Sequence, residues 1–384
     1  MTTRTTTAAA LLLSVAVLQV PETPVTAAPA TRVVAVGDVH GGFDEFVRLL
    51  QDAGVVNQRR QWSGGKTHLV QTGDVVDRGA HSRRVLDLLM ALERQAVKAG
   101  GRVHALLGNH EVMNIVGDLR YVSDEEYAAF RTYDSAALRD RAFEQLADPA
   151  RRHDPAYREQ WEAERPLGWV EHRLAFGRDG KYGRWLRQRD VVAVVGNSLF
   201  VHGGLSPKYG DVPTDTLNAT VRDELSDPAR VEGGMALDEQ GPLWYRGLAL
   251  EPEATLRPHV DALLARHGVA RIVVGHTVTP GAVIPRVDGK VVLIDVGLSE
   301  GYGKGEAALV VEEGVAFARH RGTQLRLTAG PDLLGYLKAA AALDPSPSPL
   351  LPLIANGGRY PVRETGRETG SDLRGVGAGV RPDG

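Results

Sequence analysis

Short apolar runs that each stop at a polar cluster set the pattern from residue 31 onward, at 32–36, 67–71, 102–107, 191–195, 199–201 and 271–274. Continuous apolar runs of that length predict strands buried on both faces. Between the first three lie amphipathic stretches, 43–53 and 83–98, which stop before Gly54 and Gly100 as helices prefer to do. The alternation of strand and helix predicts an α/β sandwich. Further on, 283–296 is broken by Asp288-Gly289 and 307–316 by Glu313-Gly314, so both read as hairpins and the second half is expected to be more antiparallel.

Residues 121–190 break this rhythm. Ser123 with Glu126 forms a capping-box pattern, Asp134 can cap a helix over 135–147, and Asp154 before Pro155 suits the start of a third. The stretch holds 11 of the chain's 22 Phe, Trp and Tyr residues. An insertion with its own small core and a lid whose aromatic face meets a ligand are both compatible with that enrichment. The ends differ again. Arg4, an apolar run over 8–20 and small residues around 26–30 have the layout of a secretory signal, too short to span a bilayer. That layout predicts an exported product (periplasmic, cell envelope or secreted), with a disordered tail or an organelle transit peptide as the rival reading. Residues 345–384 are rich in Pro, Ser, Gly and Arg without periodicity and read as a disordered tail, which leaves 31–330 for the main domain.

Composition narrows the chemistry. With 43% hydrophobic and 24% charged residues over 384, neither wholesale disorder nor a multi-span membrane protein fits. A net charge of -3 from 45 basic and 48 acidic residues gives no footprint for nucleic acid or an anionic membrane. The chain has no cysteine, which excludes disulfides, thiolate zinc sites and a cysteine nucleophile. Its ligands must be oxygen and nitrogen.

Each expected strand end carries such groups: Gly37-Asp38-Val39-His40-Gly41, then Gly73-Asp74-Val75-Val76-Asp77-Arg78-Gly79, Gly108-Asn109-His110-Glu111, Val201-His202-Gly203-Gly204, and Gly275-His276-Thr277. Open α/β folds place ligands at carboxyl ends of strands. Asp38 and His40 are two apart, so in extended backbone both side chains face one way and can share a cation. Asp, His and Asn without thiolate suit manganese, iron or zinc, and two cations bridged by a carboxylate suit phosphate ester hydrolysis. His68 and His104 sit within apolar strands and read as structural, His81 as a solvated loop residue, and Asp118 with Arg120 equally as an ion pair under the insertion or as a substrate contact.

In this order the motifs resemble the calcineurin-like metallophosphoesterase superfamily, and the first three match its phosphoprotein phosphatase branch. The run Gly108-Asn109-His110-Glu111-Val112-Met113-Asn114 continuing to Gly117-Asp118-Leu119-Arg120-Tyr121-Val122 resembles the Shewanella-like protein phosphatases, and the likeness covers about residues 32–320. The resemblance implies an α/β fold, a metallophosphoesterase-type β-sandwich of mixed sheets flanked by helices, with 121–190 as a helical cap insertion. It implies two metal ions (Mn2+, Fe2+/Fe3+ or Zn2+), one held by Asp38, His40 and the bridging Asp74, the other by Asp74, Asn109, His202 and His276. Val278 stands where many relatives outside that branch carry a further histidine. It also implies attack by a metal-bridging hydroxide, His110 as general acid oriented by Asp77, and Arg78 as a phosphate contact. Arg246 is a candidate second contact by its place after the fourth motif.

The expected activity is hydrolysis of phosphomonoesters, above all phosphoprotein side chains carrying phosphotyrosine, phosphoserine or phosphothreonine. Dinucleoside polyphosphate hydrolysis and a metal-stabilised binding protein without turnover are the alternatives. Partners are accordingly a phosphorylated protein or small phosphoester, with no nucleic acid and no integral membrane span in the mature chain.

Overall fold

Apolar runs become strands where the pattern places them, and the computed structural model, which describes residues 32–360, orders them into two sheets. The strands are β1 (Arg32–Val36), β2 (His68–Gln71), β3 (Arg102–Ala105), β4 (Val192–Val195), β5 (Ser198–Val201), β6 (Arg271–Val274), β7 (Ile284–Arg286), β8 (Val291–Leu293), β9 (Ala307–Glu312), β10 (Val315–His320) and β11 (Thr323–Arg326). One sheet has the order β11-β10-β9-β1-β2-β3 and the other β4-β5-β6-β8-β7. Strands β1, β2 and β3 are parallel, with Val33 opposite His68 and His68 opposite Arg102. Parallel neighbours need crossovers, and the helices Phe43–Asp52 and Ser82–Lys98 provide them, burying Phe46, Leu50, Leu86, Leu89 and Leu92.

Both expected hairpins form, but they join different sheets. The pair β7–β8 closes the second sheet, whereas β9–β10 extends the first by running antiparallel to β1. The second half is therefore mixed rather than antiparallel, because β5, β6 and β8 are parallel. That parallel core matters for function, since the carboxyl ends of all three strands emerge on one edge.

The insertion folds as five helices, Asp124–Ala129, Ser135–Leu146, Pro155–Glu164, Trp169–Phe176 and Lys181–Leu186. Ala142, Phe143, Ala147 and Trp161 form a small core apart from the main one, with Tyr157 and Trp169 packed on it. Ser123 accepts the Glu126 amide at 3.2 Å and Asp154 accepts the Ala156 amide at 2.9 Å, but the expected capping box stays half-made because the Glu126 carboxyl bonds Ser82 rather than the Ser123 amide. Asp134 makes no cap, because its ψ of 0° is not the extended backbone that aims a capping oxygen at the first turn.

The chain does not become an irregular tail at residue 345. Helices Leu333–Ala341 and Leu351–Ala355 pack on the domain and fully bury Leu337, Ala340 and Leu350. The apolar positions of the second helix, set among the Pro and Ser of 345–352, carry no period of their own and are fixed by tertiary contact. Residues 361–384, and the expected signal over 1–30, lie outside the described residues. Among the described residues no helix is long and apolar enough to cross a membrane.

Asp344 anchors this segment by accepting from Ser348 Oγ at 2.7 Å, His320 Nε2 at 2.9 Å and Arg321 Nε at 2.9 Å. Burial pushes its carboxyl up, but these donors outweigh burial and hold it below the usual aspartate range. Asp344→Ala is expected to cost about 1–3 kcal/mol in urea unfolding at neutral pH. A depressed folded-state pKa stabilises above the unfolded value and is lost as pH falls through the folded one, so the gap between variant and wild type closes in acid.

Candidate active site

Strand polarity brings the motifs together. Asp38 and His40 follow β1, Asp74 follows β2, and Asn109 and His110 open the helix Asn109–Val116 after β3; His202 follows β5, and His276 follows β6. The two sheets meet where the His202 Nδ1–H donates to the Thr72 carbonyl at 2.9 Å and the His276 amide donates to Asp38 at 3.0 Å. Close approach explains two glycines. A Cβ on Gly108 would lie 2.1 Å from an Asp74 carboxylate oxygen, and one on Gly275 would lie 2.5 Å from Asp38. His40, Asp74, Asp77, Arg78 and His276 hold left-handed backbone, which non-glycine residues adopt reluctantly and which clusters at functional sites.

Asp74 is the centre. Its Oδ2 lies 3.3 Å from His202 Nε2, 3.8 Å from His40 Nε2 and 4.0 Å from His110 Nε2. The Asn109 Oδ1 lies 2.9 Å from His202 Nε2, which is 3.1 Å from His276 Nδ1. A carbonyl can only accept, so the contacts from His40 Nδ1 to Val76 O at 3.0 Å and from His202 Nδ1 to Thr72 O fix the protons on Nδ1 and leave both Nε2 lone pairs facing inward.

Burial, reinforced by His110, pushes His40 down to about 3, and burial with Arg246 pushes His276 well down, so both imidazoles are neutral at pH 7. Burial raises Asp74, but His202, His110 and His40 outweigh it and hold the carboxylate well below its usual range. Neutral imidazoles around an ionised carboxylate are the protonation states that metal binding requires. Two donor triads, His40/Asp74/His110 and Asp74/His202/His276, share Asp74, with ligand atoms within 4.8 Å of one another in each. The His276 Nε2 is buried with no hydrogen-bond partner among the described residues, an orphan that a cation would satisfy. The residues therefore fit a pair of metal ions. Asp38 belongs to neither triad; its oxygens lie 3.0 and 3.2 Å from the His276 amide. Burial, then the charges of Asp295 and Asp74, raise its pKa.

Next to this centre, His110 Nδ1 lies 2.7 Å from Asp77 Oδ2, both fully buried. Burial disfavours the imidazolium, but Asp74 and Asp77 outweigh it and raise His110 above its ordinary value. The Arg78 guanidinium lies 4.2 Å from the Tyr121 ring centroid and 5.6 Å from that of Tyr302. Arg246 reaches the site, where its Nη1 donates to the His276 carbonyl and to Thr277 Oγ1.

His68 and His104 pair with each other at 3.0 Å and His81 is exposed; Asp118 pairs with Arg120 at 2.8 Å, the ion pair that is one of its two readings. Sequence reasoning missed several supports. Glu111 accepts the amides of Asp74, Val75 and Gly108 at 2.7–2.8 Å and so sets the second motif on the third. Burial and then Asp74 push Glu111 up to about 7, and burial pushes Asp295 up to about 6. The Asn114 amide donates to Asp77 Oδ1 at 2.8 Å, and the Tyr302 ring stacks on His40 at 5.3 Å. Glu111 was visible as the fourth letter of its motif; Tyr302, far along the chain, carried no signal.

Nitrogen and oxygen donors grouped around one carboxylate, at the joined ends of two mixed sheets, mark a candidate metal centre, and similarity to known proteins makes it that of a phosphatase. A model of the calcineurin-like phosphoesterase family matches residues 31–280, and the chain belongs to that family. It is 34% identical over 295 residues to an uncharacterised protein of Schizosaccharomyces pombe, covering 74% of this chain and 78% of that one. It is 31% identical to Shewanella-like protein phosphatase 2 of Arabidopsis thaliana, covering 71% of this chain and 73% of the relative. Among solved structures, a cold-active protein-tyrosine phosphatase of a psychrophilic Shewanella matches with a TM-score of 0.59 and 28% identity, covering 81% of this chain and 87% of that one.

Proposed function

We propose that the protein is a phosphoprotein phosphatase that passes the phosphoryl group directly to water, with His110 as general acid. The observation that carries this reading is the buried His110–Asp77 pair, 2.7 Å apart, beside the carboxylate shared by both donor triads. Asp38, His40 and Asp74 would hold one cation, and Asp74, Asn109, His202 and His276 the other. Bound cations supply positive charge to phosphoryl oxygens and lower the pKa of water. His110 gives its proton to the departing oxygen, and Asp77 keeps the ring oriented and favours the charged form. Arg78 offers a planar, permanently charged fork to the phosphate, and Arg246, which follows the fourth motif and donates to the His276 carbonyl, is the second candidate contact.

Tyr121 and Tyr302 favour an aryl phosphate. The Tyr121 ring lies 5.1 Å from His110, and both tyrosine rings flank Arg78. A phosphotyrosine ring leaving toward His110 would pack against them, and the tyrosine phosphatase named among the similar structures agrees with that preference. On a peptide panel, phosphotyrosine is expected to be cleaved about tenfold faster than phosphoserine, and Tyr121→Ala to shrink the difference, since an aromatic contact is worth about 1 kcal/mol. Equal rates on both peptides would contradict the aryl preference, and activity confined to diadenosine polyphosphates would favour the dinucleotide reading.

A further inference from the structure

The His110–Asp77 pair is held from outside the catalytic motifs. Asp77 has a left-handed backbone, φ 69°, and its amide donates to Ser82 Oγ at 3.1 Å. The Ser82 hydroxyl in turn donates to Glu126 Oε2 at 2.5 Å. Glu126 belongs to the first helix of the insertion and is fully buried, and its other oxygen has no hydrogen-bond partner among the described residues. That oxygen faces His172 Nε2 at 3.8 Å, in a pocket where the His172 ring packs on Phe130 at 4.9 Å and on Phe176 at 4.5 Å. A buried carboxyl with one partner is costly relative to an apolar residue of similar size. Its single bond runs toward the catalytic loop.

Two other insertion contacts reach the same loop. The Tyr121 carbonyl accepts the Arg78 amide at 2.8 Å. Arg173 donates to the carbonyl of Asn114 at 2.9 Å, and the Asn114 amide group donates to Asp77. The insertion thus reaches Asp77 and its neighbours through three chains of contact.

We propose that Glu126 and Ser82 are positioning residues for the general acid: the Glu126 carboxyl fixes the Ser82 hydroxyl, whose oxygen accepts the Asp77 amide and so sets the Asp77 carboxylate against His110 Nδ1. This rests on the general-acid reading above. The insertion is then a buttress of the proton donor. Neither residue touches the reacting atoms. A shift of the Asp77 carboxylate by a fraction of an ångström weakens the bond that orients the imidazolium, and the loss falls on substrates that need a proton.

The test compares the metal-loaded enzyme on p-nitrophenyl phosphate, whose leaving group departs unaided, and on unsubstituted phenyl phosphate, whose leaving group needs the proton. Ser82→Ala and Glu126→Ala are expected to lose about tenfold in kcat on phenyl phosphate and less than about threefold on p-nitrophenyl phosphate, at wild-type metal content. Glu126→Gln keeps an acceptor for Ser82 and is expected to recover most of the lost rate. Equal losses on both substrates, no loss on either, or a Gln variant as poor as the Ala variant would overturn the relay. Ser82→Ala removes one oxygen only, and it decides the matter if Glu126→Ala does not fold. His110→Ala, run alongside, separates the two ideas: if it is selective for phenyl phosphate and Ser82→Ala is not, the relay alone fails. If His110→Ala is itself unselective, the acid role fails and takes the relay with it.

Discussion

Asp74→Asn is expected to lose more than about 100-fold of the phosphatase rate, together with most of the bound metal. Asp74 alone belongs to both donor triads, and it is the ionised group around which His40, His110 and His202 converge. Disturbing even the outer partners of metal ligands costs about 10- to 100-fold, so neutralising the shared ligand should exceed that range. Metal analysis and kcat on the same purified variant read both effects. Retention of full metal content and activity would place the shared ligand elsewhere.

His110→Ala is expected to keep its metal and to lose about 10²- to 10⁴-fold on alkyl phosphates, the range of general acid catalysis, with a smaller loss on p-nitrophenyl phosphate. Loss of metal as the main effect would recast His110 as a ligand, a role that its place in the first triad leaves open. Asp77 adds a pH signature. It raises the His110 pKa through a hydrogen bond and through its charge, so Asp77→Asn lowers that pKa. The acid must be protonated to act, so the alkaline limb of the rate profile moves to lower pH in the variant. A limb that stays put would show that another group titrates there.

The motifs were legible because they are local. Each pairs an apolar strand with a polar end inside a few residues, and parallel β1, β2 and β3, with parallel β5, β6 and β8, carry those ends to one edge. The rest depends on contacts across long stretches of chain. Glu126 meets Ser82 from 44 residues away, although its local pattern announces only a helix cap, and Tyr302 reaches His40 from the far end of the fold, where nothing in the local pattern marks it. The hairpin β9–β10 was visible as a hairpin, but its pairing with β1 in the first sheet is a tertiary choice that periodicity does not record. The same holds for residues 345–360, whose order comes from Asp344 and from docking of Leu350 and Leu353 rather than from their own helical tendency.

The absence of cysteine gains meaning from the site. A chain without a thiol cannot form a phosphocysteine, which removes one route to phosphotyrosine and is consistent with the proposed transfer to water at the Asp74 centre. Metal content and phosphate release measured on one preparation, before chelation, after it, and after adding manganese back, test that account most directly. It predicts about two equivalents of metal per chain, loss of phosphate release from a phosphotyrosine peptide on chelation, and its return with metal. Undiminished release from metal-free protein, or two bound metals with no release from any aryl phosphate, would contradict it.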